Sequence, residues 1–297
     1  MVVKNNQNEF KISIAEFQNQ ARYLFLKLKE RTNATFSIPE IEEFMNSFNS
    51  KTIKAKSTVK SDIRIVIHDQ RTGTNPELGF SIKSQLGGAS TLLNAGKTTN
   101  FIFSINNLIL TEVEINEINK IETRSKIKDR IEKIENLGGI FSFRNLECSI
   151  FQNNLILIDS SLPKILSEII FQFFTSNKSK TTDLVDIISF KNPIDYNMEN
   201  SHPFYSYKIK RFLTDIALGM MPSKVWKGVL DATGGYLVVK ENGDILCYHI
   251  YNRNEFENYL FSNTKLETAS SSRHDFGKIY EKDGELYFNL NLQIRFF

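Results

Sequence analysis

Two alternating runs of apolar and polar residues, within residues 60–105, constrain the fold more than any other part of the chain. The first run is DIRIVIHD (62–69) and the second is LGFSIKSQ (78–85), and the linker between them carries Gly73, Asn75 and Pro76. Alternation is typical of β-strands, and glycine, asparagine and proline are typical of turns. The pattern therefore predicts a β-hairpin at the centre of the fold.

Alternation also predicts which side chains of the hairpin share a face, because successive strand residues point to opposite sides. One face is apolar and is expected to be buried: Ile63, Ile65, Ile67, Leu78, Phe80 and Ile82. The other face carries the polar side chains: Asp62, Arg64, His68, Ser81, Lys83 and Gln85. A hairpin closed between residues 69 and 77 would set Asp62 opposite about residue 84, next to Lys83.

Composition bounds the class of protein. With 297 residues, of which 41% are hydrophobic, the chain can bury a core and is expected to be soluble and globular. Its net charge of +3 does not require a nucleic-acid partner. Cys148 and Cys247 lie far apart without zinc-ligand spacing, which fits a reducing cytoplasm. The polar start is unlike a signal peptide, and no apolar run approaches the roughly 20 residues of a membrane span.

Further periodic segments predict the elements around the hairpin. Ser37 and Glu40 form a capping-box pattern with Pro39 in the first turn of a helix. The remaining predicted elements are helices at 14–30, 113–137, 163–174 and 204–221, strands at 140–143 and 155–158, and hairpins at Asn242-Gly243 and 282–284. Trp226, in apolar surroundings, is expected in the core.

Several clusters of cations are candidates for contacts with DNA phosphates or bases. Residues 51–60 carry lysines without an acidic residue, so they form either a solvated loop or a phosphate-contacting segment. Cations at the start of the helix at 204–221 oppose its dipole, so they do not stabilise the helix and reflect either an external anion or a solvated face. Arg273-His274 either reach base edges or lie in an exposed loop. The candidate DNA-binding residues are Lys54, Lys56, Lys60, Asn94, Lys97, Lys208, Lys210, Arg211, Arg273 and His274.

Asp62 and Lys83 are the candidate catalytic pair. Phosphodiester hydrolysis uses a divalent cation held by hard oxygen ligands and a group that positions the attacking water. Asp62 suits the first role and Lys83 the second, although the same pattern is also compatible with a surface ion pair on a sheet. His68 is expected to be structural.

Resemblance adds to this reading. Asp62 together with Ser81-Ile82-Lys83 resembles the PD-(D/E)xK nuclease motif, with Ser81 where the second acid stands. From residue 36 onward, several segments are similar to HpaII-type restriction endonucleases. They are DIRIVIHD, LGFSIKS, STLLNA, TNFIF, ALGMMPSKVWKG, GGYLVVKENGDILCYHIYNR and LNLQIRF. The longer N-terminal region of that family, with its acidic helix, is not found, so a shortened N-terminus is expected.

The resemblance implies a magnesium-dependent type II restriction endonuclease that cuts double-stranded DNA at a short palindrome, CCGG. It implies that Asp62 and Lys83 are catalytic and places Ser81 and Gln85 in the same site. Asp62 would be a cation ligand, and the Ile82 backbone carbonyl, Gln85 or Glu43 would complete the coordination as alternatives. A palindromic target favours a homodimer on DNA.

The expected fold class is α/β, with a central mixed β-sheet flanked by helices and a β-rich C-terminal portion. Its expected parts are an N-terminal helical segment (1–35), a nuclease core (36–190) and a DNA-recognition portion (191–297). Two alternatives stay open. One is a DNA-binding protein with a degenerate, inactive nuclease core, and the other is a repair-type nuclease that recognises structure instead of sequence.

Overall fold

The structure, a computed structural model, describes residues 2–5, 8–31, 37–49, 61–66, 73–86 and 89–297. The chain forms two compact units, one of residues 1–88 with 234–248 and the other of residues 89–233 with 249–297. Several β-sheets are flanked by helices, so the predicted mixed α/β class is confirmed. The three-part functional division (1–35, 36–190, 191–297) stays a prediction, since the two compact units have different boundaries from these three parts.

The first unit contains two short hairpin strands, two helices and a four-stranded sheet. Its elements are β1 (Val2–Asn5), β2 (Asn8–Lys11), α1 (Ile14–Lys29), α2 (Pro39–Asn46), β3 (Ile63–Val66), β4 (Glu77–Ser84), β8 (Gly235–Val239) and β9 (Ile245–His249). The sheet has the order β3-β4-β8-β9. Because β3 pairs with β4 antiparallel and β4 pairs with β8 parallel, the sheet is mixed.

Helix α1 begins where predicted, because the Ser13 side chain accepts a hydrogen bond from the Glu16 N–H at 3.0 Å. The capping box predicted for α2 is wrong. Pro39 occupies the first helical turn, Ile38 is the N-cap, and the Ser37 hydroxyl donates instead to Glu42 at 2.7 Å.

The hairpin predicted from alternation is confirmed, but its register is not the expected one. Ile63 lies opposite Phe80 and Val66 opposite Glu77, so the connection runs from residue 67 to residue 76. This connection is longer than expected, and it shifts Asp62 from the neighbourhood of residue 84 to a position opposite Ser81.

Burial on the hairpin also differs from the expected pattern. Ile63, Ile65 and Ile82 are 41%, 37% and 41% exposed, whereas Ser81 is only 4% exposed. The reason lies in the strand order. β3 is an edge strand, while Ser81 pairs across β4 and β8 with the buried Tyr236. Ile67 and His68 lie outside the described residues.

The second unit holds two antiparallel sheets and eight α-helices among its described residues. Its strands are β5 (Thr91–Leu93), β6 (Asn100–Asn106), β7 (Ile140–Leu146), β10 (Thr264–Leu266), β11 (Ile279–Lys282), β12 (Glu285–Asn291) and β13 (Ile294–Phe296). Its helices are α3 (Glu112–Asn119), α4 (Lys126–Asn136), α5 (Ser149–Ile158), α6 (Leu162–Thr175), α7 (Thr181–Lys191), α8 (Phe204–Leu218), α9 (Arg253–Ser262) and α10 (Ser271–His274). The sheet orders are β11-β12-β6-β7 and β10-β13-β5.

Two predicted elements of this unit are wrong in type or extent. The helix predicted at 113–137 is broken into α3 and α4, because the buried Arg130 guanidinium donates to the carbonyls of Asn119 and Ile121 between them. The strand predicted at 155–158 is the last turn of α5. A short apolar run does not distinguish a strand from a buried helix.

No helix in the described ranges is long and apolar enough to cross a bilayer.

Gly234 lets β8 approach β4 closely. Its N–H donates to the Gly79 carbonyl at 2.6 Å, and a Cβ atom added at Gly234 would lie 2.5 Å from the Phe80 ring. Phe80 is only 3% exposed, so its ring has little room to move. The parallel pairing that brings β8 beside β4 therefore requires glycine at this position.

We expect Gly234→Ala to lower the free energy of unfolding by about 1–3 kcal/mol, because it overpacks a buried contact. Urea denaturation followed by circular dichroism measures the loss. Gly96→Ala is the control, since its added Cβ would meet Thr98 at an ordinary 3.5 Å and its φ of −175° suits any residue. Equal losses in both variants would contradict the close approach.

Candidate functional site

Asp62 and Ser81 face each other where β3 begins. The Asp62 N–H donates to the Phe80 carbonyl at 2.8 Å, which fixes the backbone of Asp62 beside β4. Its carboxylate then accepts from the Ser81 hydroxyl at 3.1 Å and from the Ile82 N–H at 2.7 Å. Hydrogen bonds to a carboxylate are among the stronger ones in proteins. They hold the Asp62 side chain in one orientation.

Both of these bonds reach the same oxygen, Oδ2 of Asp62. Among the described residues, none donates a hydrogen bond to Oδ1. Asp62 is exposed while Ser81 is buried, so the carboxylate has a fixed inner side and an outer side open to solvent. The outer oxygen is therefore available to a cation or a substrate.

Lys83 lies on the same face of β4 as Ser81, about 6.6 Å further along the strand. Its Nζ is 5.2 Å from the ring centroid of Tyr236, a residue of β8 that is only 1% exposed. An ammonium over an aromatic face is attracted by the ring quadrupole. Tyr236 thus positions the Lys83 charge on the face that carries Asp62.

The candidates Gln85 and Glu43, and also Glu77, lie in different places. Gln85 follows β4, with its N–H donating to the Val239 carbonyl at 2.9 Å and its side chain exposed. Glu43 is exposed in α2, and no contact of the described residues joins it to Asp62. Glu77 pairs with Arg64 at 2.8 Å near the far end of the hairpin, away from Asp62.

The oxygen donors at Asp62 fit a hard divalent cation. They comprise the Asp62 carboxylate, the Ser81 hydroxyl and the Ile82 carbonyl, which lies on the same edge of β4 as the Ile82 N–H. The described part of the chain holds no group of three Asp, Glu, His or Cys side chains that could form a complete cage. Mg²⁺ commonly binds through one or two carboxylates and takes its remaining ligands from water and substrate phosphate.

The cations proposed for DNA binding are only partly described. Lys54, Lys56 and Lys60 lie outside the described residues. In the second unit, Asn94 is exposed and Lys97 pairs with Asp275 at 3.2 Å. Arg273 is exposed and His274 is partly exposed, both in the short helix α10, where the Arg273 N–H donates to the Ser270 hydroxyl. Their contact with DNA stays a prediction.

The three cations of α8 have partners within the protein. Lys208 pairs with Asp159, Lys210 donates to Asn258 at 2.7 Å, and Arg211 lies 3.7 Å from Asp215. Burial opposes the charge of Lys208, but the hydrogen bond that Lys208 donates to Asp159, the negative charge of Asp159 and the contact with Tyr196 together outweigh it and raise the pKa of the ammonium. An external anion is therefore not needed to explain these charges, and their contact with DNA stays a prediction.

Gly234 and Tyr236 contribute to the site but were not among the sequence candidates. The segment GGYLVV was predicted only as part of a hairpin, and its parallel pairing with β4 joins residues far apart in the chain. A parallel pair needs a long crossover, which leaves no short-range pattern. The paired glycines before a strand are the one sequence signal that marks a close backbone approach.

Comparison with known proteins places the chain in a family. The model of the HpaII restriction endonuclease family matches residues 1–296. The type II restriction enzyme HpaII of Haemophilus parainfluenzae is 48% identical over 297 residues, which are all of this chain and 82% of that enzyme. No solved structure matches the chain. The chain belongs to the HpaII restriction endonuclease family.

Proposed function

We propose that this protein is a type II restriction endonuclease that hydrolyses phosphodiesters of double-stranded DNA at the palindrome CCGG with Mg²⁺. The observation that carries the proposal is the orientation of Asp62 by Ser81 and Ile82, on the face of the sheet that also presents Lys83. The relative's name supports the reaction, since that protein is a type II restriction enzyme. The CCGG target comes from the family resemblance.

Asp62 would hold the metal ion together with the Ser81 hydroxyl and the Ile82 carbonyl. When bound, Mg²⁺ polarises phosphoryl oxygens and lowers the pKa of a bound water. Asp62 contributes the negative charge that attracts the cation, and the hydrogen bonds on Oδ2 keep its other oxygen directed outward. Preorganisation of this kind avoids reorientation during the reaction. A contribution of Glu43 to the ligand set remains part of the proposal.

Lys83 would orient the attacking water and stabilise the negative charge that develops on the phosphate. Its ammonium is a donor of three hydrogen bonds, and the contact with Tyr236 limits the volume it samples. Gln85 lies two residues further along, and its exposed amide could donate to a phosphate oxygen or accept from the water. Both side chains act on the same substrate group.

A homodimer would match the two-fold symmetry of a palindromic target, with one site for each strand. Lysine and arginine side chains would supply sequence-independent affinity for the DNA backbone. The proposed contacts are Lys54, Lys56, Lys60, Asn94, Lys97, Lys208, Lys210, Arg211, Arg273 and His274.

A DNA-binding protein with an inactive nuclease core is the second candidate function. Ser81 stands where the related motif has an acid, and a hydroxyl is a weaker cation ligand than a carboxylate. Within the described ranges, no further acidic, histidine or cysteine side chain joins Asp62 in a three-residue cluster. These two observations favour the candidate enough to require a direct test of cleavage.

We expect the purified protein to convert a plasmid with known CCGG sites into fragments that end at those sites, in Mg²⁺ but not in excess EDTA. Agarose gels and end sequencing measure the products. Retardation of DNA without cleavage would favour the inactive core. Cleavage without discrete fragments would indicate a nuclease that recognises structure, and discrete fragments ending elsewhere would contradict the CCGG target.

We expect Asp62→Asn to lower the cleavage rate by about 100-fold or more while DNA retardation is retained, because the cation loses its charged ligand. Single-turnover cleavage of a CCGG duplex measures the rate. Glu77→Gln is the matched control, since Glu77 lies on the same hairpin and pairs only with the exposed Arg64 among described residues. Unchanged cleavage by Asp62→Asn would exclude Asp62 as a ligand.

We expect Ser81→Asp to lower the Mg²⁺ concentration needed for half-maximal cleavage and to enlarge the rise in melting temperature on adding Mg²⁺. A second carboxylate beside Asp62 would bind the cation and would repel Asp62 in its absence. Ser84→Asp is the control, because Ser84 is exposed on the opposite face of β4. The same Mg²⁺ response in both variants would contradict a cation site at Ser81.

A further inference from the structure

The second unit contains a cavity of about 410 Å³ that the proposed cleavage reaction does not use. Arg211, Thr214 and Asp215 of α8 line it. Their spacing of three and four residues puts them on one face of the helix. The end of α5 (Leu157 and Ile158), the segment after α8, and the start of α9 with Ile250 complete the wall. The volume falls within the range of about 300–1,000 Å³ typical of small-molecule sites.

The inner end of the cavity is polar. Thr214 and Asp215 are each 4% exposed, and the Thr214 hydroxyl has no hydrogen-bond partner among the described residues. A buried hydroxyl without a partner is unfavourable. Because a helical threonine has two accessible χ1 rotamers, this hydroxyl can turn toward a ligand in the cavity. A ligand with its own hydrogen-bonding groups would supply the missing partner.

Asp215 adds a group that can both donate and accept. Burial, followed by the nearby Glu257 carboxylate, raises the pKa of Asp215 to about 7. Arg211 does not offset this, since its Nε is 3.7 Å away and its side chain is 39% exposed. Near neutral pH the Asp215 carboxyl is present in both protonation states. Neighbouring donors and acceptors of this kind match the polar edge of a nucleobase.

The outer end of the cavity is positively charged. Arg211, Lys227 and Arg253 line it; Lys227 and Arg253 are exposed, and Arg211 is partly exposed. Arg253 pairs with Glu257 at 2.6 Å, whereas Lys227 forms no ion pair within the described part of the chain. Lysine and arginine side chains are the usual ligands of phosphate groups. The mouth therefore suits an anion while the inner end suits a neutral polar group.

Trp226 supplies an aromatic surface in the wall of the cavity. Its indole Nε1–H donates to the Val229 carbonyl at 2.9 Å, and its backbone N–H donates to Asn154 at 3.0 Å. The ring is thus held in place, and the residue is only partly buried. The prediction that Trp226 belongs to the core is wrong, since it borders this cavity instead. Fixed aromatic rings are the surfaces on which nucleobases stack.

We propose that this cavity binds one nucleotide, with its base against Trp226, the polar edge of the base at Thr214 and Asp215, and its phosphate at Lys227 and Arg253. The nucleotide is either a free deoxynucleoside monophosphate or one unit of DNA turned out of the base stack. The second source rests on the proposed function, because it requires DNA as the substrate. Turning a nucleotide out of a duplex gives a protein access to its base-pairing edge.

Isothermal titration calorimetry with the four deoxynucleoside monophosphates and the full chain, without metal, tests whether the ligand is a free nucleotide. We expect saturable binding that Thr214→Val weakens by about three- to tenfold, the effect of one hydrogen bond. Lys227→Ala should weaken it by about tenfold or more, since it removes a charge-assisted contact. Lys224→Ala, three residues away and outside the cavity, should bind like the wild type.

The melting temperature separates loss of a ligand contact from loss of folding. Thr214→Val removes a hydroxyl without a partner among described residues, so we expect an unchanged or higher melting temperature. Thr181→Val is the control and should lower the melting temperature, because its hydroxyl bonds to that of Thr264 at 2.9 Å. Weaker binding together with undiminished stability is an outcome that a purely structural Thr214 would not produce.

A CCGG duplex carrying 2-aminopurine at successive positions, mixed with the full chain in EDTA, tests the DNA source. We expect a fluorescence rise at one position when the protein binds, and a smaller rise with Thr214→Val and Lys227→Ala. A rise in 2-aminopurine fluorescence supports a nucleotide from DNA, while binding seen only by calorimetry supports a free nucleotide. The absence of both signals, or signals that neither variant changes, would overturn the proposal. Nucleotide binding without cleavage would sink the endonuclease proposal and leave this one intact.

Discussion

The hydrogen bonds from Ser81 and Ile82 to the Asp62 carboxylate determine the arrangement of the proposed catalytic site. They hold one oxygen of Asp62 against β4 and leave the other directed outward. A slip of one residue between β3 and β4 would move Asp62 to the opposite face of the sheet, because strand side chains alternate. The register of a single hairpin therefore decides whether Asp62 and Lys83 lie on the same face of the sheet.

β4 joins the two halves of this site, since it pairs with β3 on one side and with β8 on the other. Gly234 permits the close approach of β8, and Tyr236 then lies where its ring meets the Lys83 ammonium. Two residues distant in sequence from Asp62 thus set the position of Lys83, its proposed catalytic partner. A change at either would move the Lys83 ammonium relative to Asp62 without altering the oxygen groups around Asp62.

Much of the architecture could be predicted from local patterns. Alternation indicated β3 and β4, helical periodicity indicated α1, α6 and α8, and Asn242-Gly243 indicated the hairpin of β8 and β9. The register of β3 on β4 could not be predicted, because it depends on the length of the connection between them. The break between α3 and α4 likewise depends on a long-range contact, the hydrogen bond from Arg130 to the carbonyl of Gly277.

For the candidate site, the sequence identified Asp62, Ser81 and Lys83, and family resemblance supplied their roles. Tyr236 was missed because parallel pairing leaves no signal over short distances. The burial of Ser81 was also missed, since alternation assigns residues to faces but does not say which face another strand's side chains will cover. For polar residues on a central strand, the sequence therefore predicts the correct face of the sheet but not the correct degree of burial.

A titration with Mn²⁺, followed by electron paramagnetic resonance, is the sharpest test of the Asp62 assignment. It would be performed on the wild type and Asp62→Asn, each bound to a CCGG duplex with a non-cleavable phosphate analogue. We expect the wild type to bind Mn²⁺ at its cleavage sites and Asp62→Asn to lose that binding while it still holds the duplex. Equal Mn²⁺ binding by the two proteins would show that the cation is held elsewhere.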